Sequence, residues 1–170
     1  MKIEIPKDAL VILIGTSSSG KSTFAERNFK PTEVLSSDYY RALVSDDESR
    51  MDVTSQAFEA LHFIADKRLN NGRLTVIDAT NVQKRYRKPL HQLAMEKRKQ
   101  TVAIVFDIPE EVCIRRHQNR SDRNFEDQVI IRQGEYLRRS MKNLHDERFS
   151  YIYILKTEED VLNTEILRLP

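Results

Sequence analysis

The apolar positions of the chain fall into two rhythms. Leu10-Val11-Ile12-Leu13-Ile14 is an unbroken run that stops at Gly15, the pattern of a strand buried on both faces of a parallel sheet. Further runs at Val34-Leu35, Leu74 to Ile77, Thr101 to Phe106 and Tyr151 to Leu155 predict four more strands. Between them the period lengthens. Phe58, Leu61, His62, Ala65 and Leu69 recur at helical spacing until Asn70-Asn71-Gly72 breaks the pattern. Helices are also expected from Lys21 to Phe29, with Pro31 as the exit, and over Leu90 to Lys99. Two more run from Pro109 to Asn119 and from Glu126 to Leu144. Proline followed by Glu110 and Glu111 suits the positive end of the third of these. Strand and helix in alternation define an α/β protein, a parallel sheet wrapped by helices. No repeat or linker divides it, so residues 1–170 are expected to form a single domain.

Composition narrows the setting. A chain of 170 residues with 39% hydrophobic and 32% charged positions can bury a core without a disulfide or metal staple. No apolar stretch nears the roughly 20 residues that cross a bilayer, and Met1 to Pro6 lacks the apolar centre of a signal peptide. A cytoplasmic protein with no membrane partner is expected. The one cysteine, Cys113, excludes an internal disulfide framework and reads as helix packing. The four histidines lack zinc spacing. Lys and Arg outnumber Asp and Glu by 28 to 26, a net charge of +2 that selects no partner by itself. The basic stretch Lys84 to Lys88, its continuation Lys97 to Lys99, and the arginines from Arg115 to Arg139 fit solvated helix faces as readily as a nucleic-acid track.

The sharpest signal is Gly15-Thr16-Ser17-Ser18-Ser19-Gly20-Lys21-Ser22, which meets every fixed position of the phosphate-binding loop G-x-x-x-x-G-K-[ST]. It stands between a buried strand and a helix, the context that the chemistry requires. Backbone N–H groups and the helix N-terminus cradle a di- or triphosphate. Lys21 is placed to reach the β- and γ-phosphates, and the Ser22 hydroxyl to ligate Mg²⁺. Thr23 continues the helix beside them.

Such a cradle names a nucleotide but no reaction, and three further segments bear on that. Ser36-Ser37-Asp38-Tyr39-Tyr40-Arg41 follows the second strand, at the sheet edge that faces a ligand. Asp38 there can accept a proton from an attacking hydroxyl. Arg41, one helical turn on, can hold a phosphate of the incoming substrate. The alternative makes Ser37 or Asp38 a helix cap and Arg41 a solvated cation. Asp78 ends the strand before Ala79-Thr80-Asn81, where a carboxylate binds magnesium directly or through water, or else merely forms a turn. Finally Arg115, Arg116, Arg120 and Arg123 crowd a helix-to-loop boundary. Arginines on a flap neutralise the charge that spreads over a transferring phosphoryl group, although a solvated basic helix end would look similar.

In this order, Gly15 to Thr23, Ser37-Asp38-x-x-Arg41, Asp78-Ala79-Thr80-Asn81 and Arg116-x-x-x-Arg120-x-x-Arg123 resemble the 5′-hydroxyl polynucleotide kinases. The likeness is strongest to the N-terminal kinase module of bacterial RNA-repair kinase-phosphatases, and it runs over nearly the whole chain. The resemblance implies an adenylate-kinase-like fold with an arginine-bearing lid around residues 116–126. It implies γ-phosphate transfer from ATP or another nucleoside triphosphate, with Mg²⁺ or Mn²⁺, to the 5′-OH of single-stranded RNA or DNA. By its implication Asp38 is the general base and Arg41 grips the phosphate 3′ to the acceptor. Lys21, Arg120 and Arg123 stabilise the phosphoryl group, Arg116 joins them on the nucleotide, and Ser22 holds the metal. In such proteins phosphatase and ligase-type modules follow the kinase, so this chain is expected to be either a free-standing kinase or, the preferred reading, a domain excised from a longer polypeptide. Two rival readings stand beside this one. A small-molecule kinase for a nucleoside or sugar would present a closed acceptor pocket. A nucleotide switch would carry out no transfer, and the lack of an Asn-Lys-x-Asp motif weighs against a GTPase.

Overall fold

Seven strands and seven α-helices make up the described residues of the computed structural model, 1–121 and 125–170. In chain order they are β1 (Lys2–Pro6), β2 (Leu10–Gly15), α1 (Lys21–Asn28), β3 (Val34–Ser36), α2 (Ser37–Ser45), α3 (Thr54–Asn70) and β4 (Thr75–Asp78). There follow α4 (Lys84–Glu96), β5 (Thr101–Phe106), α5 (Glu110–Gln118), α6 (Asp127–Met141), β6 (Tyr151–Leu155), α7 (Glu158–Asn163) and β7 (Glu165–Leu169). The main sheet has the order β3-β4-β2-β5-β6, and every pairing is parallel. This is the α/β arrangement of P-loop NTPases, with the phosphate-loop strand at the centre.

The apolar run of β2 explains its place. Every residue from Leu10 to Gly15 is buried, and the period-two pleat sends alternate side chains into two separate cores. Val11 and Leu13 join Phe24, Val76, Ile104 and Phe106 on one face. Leu10, Ile12 and Ile14 join Leu61, Leu69, Ile77 and Val105 on the other. A strand of this kind has no polar face to give to solvent, so it lies between β4 and β5 with a helical layer on each side.

Three features differ from the sequence expectation. Helix α7 was not foreseen, nor were the strands β1 and β7. They pair in parallel as a separate two-stranded sheet, with Lys2 opposite Glu165. Ile3 and Ile5 are fully buried in the first core, while Lys2 and Glu4 face solvent. Helix α4 begins at Lys84, well before Leu90, and contains Pro89. Proline removes one helical hydrogen bond, but the first turn is anchored from inside by Arg87. This residue sits within the basic stretch that reads as a solvated face, yet it is 0% exposed. The third difference is a cap. Helix α2 is capped by Ser36, whose side chain accepts the Tyr39 N–H, not by Ser37 or Asp38. Among the described residues no helix is long and apolar enough to cross a membrane.

Candidate active site

The phosphate loop is built around two glycines with different reasons to be glycine. A Cβ at Gly15 would lie 2.9 Å from the Phe106 Cβ and 2.9 Å from the Ser19 Oγ, so the close approach of β5 excludes a side chain. Gly20 has φ +99° and caps α1 in the left-handed region, where a side chain is strained. Ser18 also has positive φ, at 62°, without glycine's freedom. Lys21 is buried, and its Nζ donates to the Thr16 carbonyl at 2.5 Å and to the Ser19 Oγ at 3.3 Å. The ammonium thus lies inside the loop that it would share with a phosphate. Ser22 and Thr23 are exposed at the start of α1.

The loop opens into a cleft of about 470 Å³ whose walls bring together Lys21, Ser22, Asp38, Arg41, Asp78 and Arg120. Parallel topology explains the convergence. The phosphate loop, α2 and Asp78 follow β2, β3 and β4, so all three leave the same edge of the sheet. Asp38 and Arg41 lie one turn apart on α2 and are bonded: Arg41 Nη2 donates to Asp38 Oδ1, and Arg41 Nε donates to the Glu48 carbonyl at 2.7 Å. The Arg41 side chain is 10% exposed and that of Asp38 25%. Arg41 is therefore no solvated cation.

Asp78 is buried at the end of β4. The loop beyond it is held from both sides. Gly15 N–H donates to the Thr80 carbonyl at 2.9 Å, and Asn81, at φ 48°, donates from Nδ2 to the Leu13 carbonyl at 2.8 Å. Arg87 reaches in from α4, with Nη1 donating to the Asn81 carbonyl at 2.6 Å. Its Nε and Nη2 bind Glu147 bidentately at 2.9 and 2.5 Å. Burial alone would raise the Glu147 carboxyl, but Arg87, with His91 nearby, overrides it and brings the pKa down to about 2. Sequence reading named Asn81 in the segment after Asp78 but missed Arg87 and Glu147 as supports of the cleft. The only trace was one arginine of the basic stretch on the apolar side of α4, together with Leu90 and Ala94.

The arginine-rich boundary divides. Arg116 lies on α5 against the phosphate loop, with Nη2 on Glu158 Oε2 at 2.9 Å and Nη1 on the Ser18 carbonyl at 3.4 Å. Arg120 lies in the cleft wall, and Arg123 falls outside the described residues. His117 also belongs to α5. Its Nε2–H donates to the Phe125 carbonyl at 2.6 Å, and its ring stacks on that of Phe125 at 4.2 Å. Cys113 is packing, as its sequence position suggested. It is fully buried, accepts the Thr16 hydroxyl at 3.3 Å, and burial pushes its thiol pKa up.

Among the described residues no three His, Cys, Asp or Glu are grouped to hold a metal alone. The oxygen donors present fit a different mode. The Ser22 hydroxyl and Asp78 carboxylate share the cleft with the phosphate loop, and Mg²⁺ is commonly bound by one or two protein oxygens plus substrate phosphates and water.

These features define a P-loop fold of the kinase type, and comparison with known proteins agrees. The chain belongs to the AAA domain family, whose model matches residues 10–144. No curated protein matches it. Among solved structures it is similar to a chain of the Pnkp1/Rnl/Hen1 RNA repair complex, with 23% identity, a TM-score of 0.70, and coverage of 83% of this chain and 47% of that one. The present chain thus spans just under half of that relative's length. It is also similar to a gluconokinase from Sinorhizobium meliloti 1021, with 16% identity, a TM-score of 0.56, and coverage of 93% of this chain and 87% of that one. A third is the Mycobacterium tuberculosis APS kinase CysC in complex with AMPPNP and APS, with 22% identity, a TM-score of 0.52, and coverage of 66% and 69%.

Proposed function

We propose that the protein is a 5′-hydroxyl polynucleotide kinase, transferring the γ-phosphate of ATP or another nucleoside triphosphate to the 5′-OH end of RNA or DNA. The observation that carries this reading is the Asp38–Arg41 pair, which lines the same cleft as the phosphate loop. A hydroxyl acceptor needs a base, and a polynucleotide end differs from a sugar or nucleoside by the phosphate on its 3′ side. The pair offers a group for each. The likeness to a chain of an RNA repair complex supports the same substrate class.

In the proposed reaction the Asp38 carboxylate takes the proton of the 5′-OH as its oxygen attacks the γ-phosphorus. The bond from that phosphorus to the β–γ bridging oxygen breaks, and the nucleoside diphosphate leaves. Lys21 neutralises the phosphate oxygens on the donor side, with Arg120, in the same cleft, and Arg123 assigned to the same task. Backbone N–H groups from Gly20 to Thr23 cradle the phosphates. Mg²⁺ or Mn²⁺, held by Ser22 and by Asp78 through water, would supply further charge neutralisation. Arg41 engages Asp38 and Glu48 through only part of its planar fork of five donors, so the fork can also take a phosphate. As a repair module it would work in the cytoplasm beside phosphatase and ligase-type modules.

Incubation with γ-labelled ATP, Mg²⁺ and a 5′-OH oligonucleotide tests the reading. Label is expected at the 5′ end. Label on gluconate, a nucleoside or another small hydroxyl compound, with none on the oligonucleotide, would replace this reading by that of a small-molecule kinase.

A further inference from the structure

Two helices flank the segment that carries Arg120, and each grips one of two adjacent residues of the phosphate loop. From α6, Gln133 Oε1 accepts the Ser17 N–H at 2.7 Å, a contact that spans 116 positions of sequence. From α5, Arg116 Nη1 donates to the carbonyl of Ser18, the next residue, at 3.4 Å, while Glu158 of α7 holds the other end of the same guanidinium. Below the segment its base is closed twice: by the bond and ring stack of His117 with Phe125, and by Gln118 Nε2 donating to Asp127 Oδ2 at 2.7 Å.

The grip falls where the loop most needs it. Ser18 is a non-glycine residue at φ 62°, a conformation that persists only where its surroundings over-determine it. Ser17 is buried, so its N–H requires a partner. Val129 and Gln133, one turn apart on α6, both line the cleft that Asp38 and Arg120 also line. Helix α6 could therefore not shift along its axis without breaking the Ser17 bond, nor α5 without losing Ser18 or Glu158.

We propose that Gln133 is a positioning residue. Together with Arg116 it ties the Arg120 segment to the Ser17–Ser18 backbone and so fixes where Arg120 stands relative to the donor phosphates. The proposal rests on the kinase reading above. It gives Gln133 a role that acts through Arg120, distinct from a direct contact with the nucleotide. A misplacement of about 1 Å in a charged group at a reacting centre can cost on the order of 100-fold in rate.

The test is a double-mutant cycle of Gln133→Leu with Arg120→Ala, after thermal melts of each variant. Leucine has a similar size and no acceptor. The proposal expects Gln133→Leu to lower kcat about tenfold or more, with ADP affinity within about threefold of the original protein. In the Arg120→Ala background the same change should cost no more than about twofold, because the residue it positions is already gone. Multiplicative losses would overturn the proposal, and so would a fall in ADP affinity as large as the fall in kcat, which would make Gln133 a support of the loop alone or a nucleotide ligand. Should the leucine variant melt below assay temperature, Gln133→Asn, which withdraws the amide by one methylene, is read in the same way. Transfer to water is measured beside transfer to the oligonucleotide. A protein that ignores the oligonucleotide then refutes the acceptor assignment, and the cycle is still read on hydrolysis.

Discussion

Arg87→Met removes the one fully buried arginine of the described residues and leaves Glu147 with a side chain only 4% exposed. His91 Nε2, at 3.6 Å, is too distant to replace a bidentate guanidinium. Breaking a buried ion pair from one side costs about 3–5 kcal/mol, because the remaining charge stays desolvated. The Asn81 carbonyl loses its 2.6 Å donor at the same time. For a domain of this size each kcal/mol moves the melting temperature by about 2–4 °C. A fall of roughly 6–20 °C is therefore expected in thermal melts at pH 7. The double variant Arg87→Met with Glu147→Leu should recover much of it, since an apolar pair of similar volume carries no stranded charge. A drop below about 2 °C in the single variant would refute the reasoning, because no buried charge could then be uncompensated. Failure of the double variant to recover would shift the cause from charge to the lost hydrogen bonds of the loop after Asp78.

Asp38→Asn should keep ATP binding and lose about 10²–10⁴-fold in kcat, the ordinary range for a general base; initial rates within threefold of the original protein would remove Asp38 from that role. Lys21→Ala should weaken both nucleotide affinity and turnover, whereas Arg120→Ala should lower turnover far more than affinity, since the charge it meets develops during transfer. Nucleotide titrations and initial rates separate the two patterns. Acid should expose the buried pair. The Glu147 carboxyl lies near 2 in the folded protein against an ordinary value of 4.5, so its contribution, on the order of 3 kcal/mol, is complete above pH 4.5 and lost as pH falls toward 2. Urea unfolding across that range should show the loss, and Glu147→Gln should flatten it.

The sequence announced the centre of this protein far better than its supports. The phosphate loop was legible because a spacing motif, a two-sided apolar strand and a following helix all agreed within Leu10 to Asn28. Asp38 and Arg41 were legible for a local reason: residues three positions apart on a helix share a face, and the two side chains are bonded. The ends of the chain were not. The alternation Lys2-Ile3-Glu4-Ile5 is only four residues long, and its partner strand begins at Glu165, a pairing that no local pattern encodes. Arg87 was hidden among the neighbours Arg85 and Lys88, and its partner Glu147 lies 60 positions on. Gln133 carries no charge and matches no motif. Its role is visible only once α6 is packed over Ser17.

The central claim is best tested by comparing three acceptors: a nucleoside, its 3′-monophosphate and a short 5′-OH oligonucleotide, each phosphorylated by the original protein and by Arg41→Ala. A charge-assisted contact of about 1.5–3 kcal/mol corresponds to roughly 10–100-fold in efficiency. The account expects the 3′-monophosphate and the oligonucleotide to exceed the bare nucleoside by about that factor, and Arg41→Ala to erase most of the difference. Equal efficiency for all three acceptors in the original protein would contradict it and make the cleft that of a small-molecule kinase.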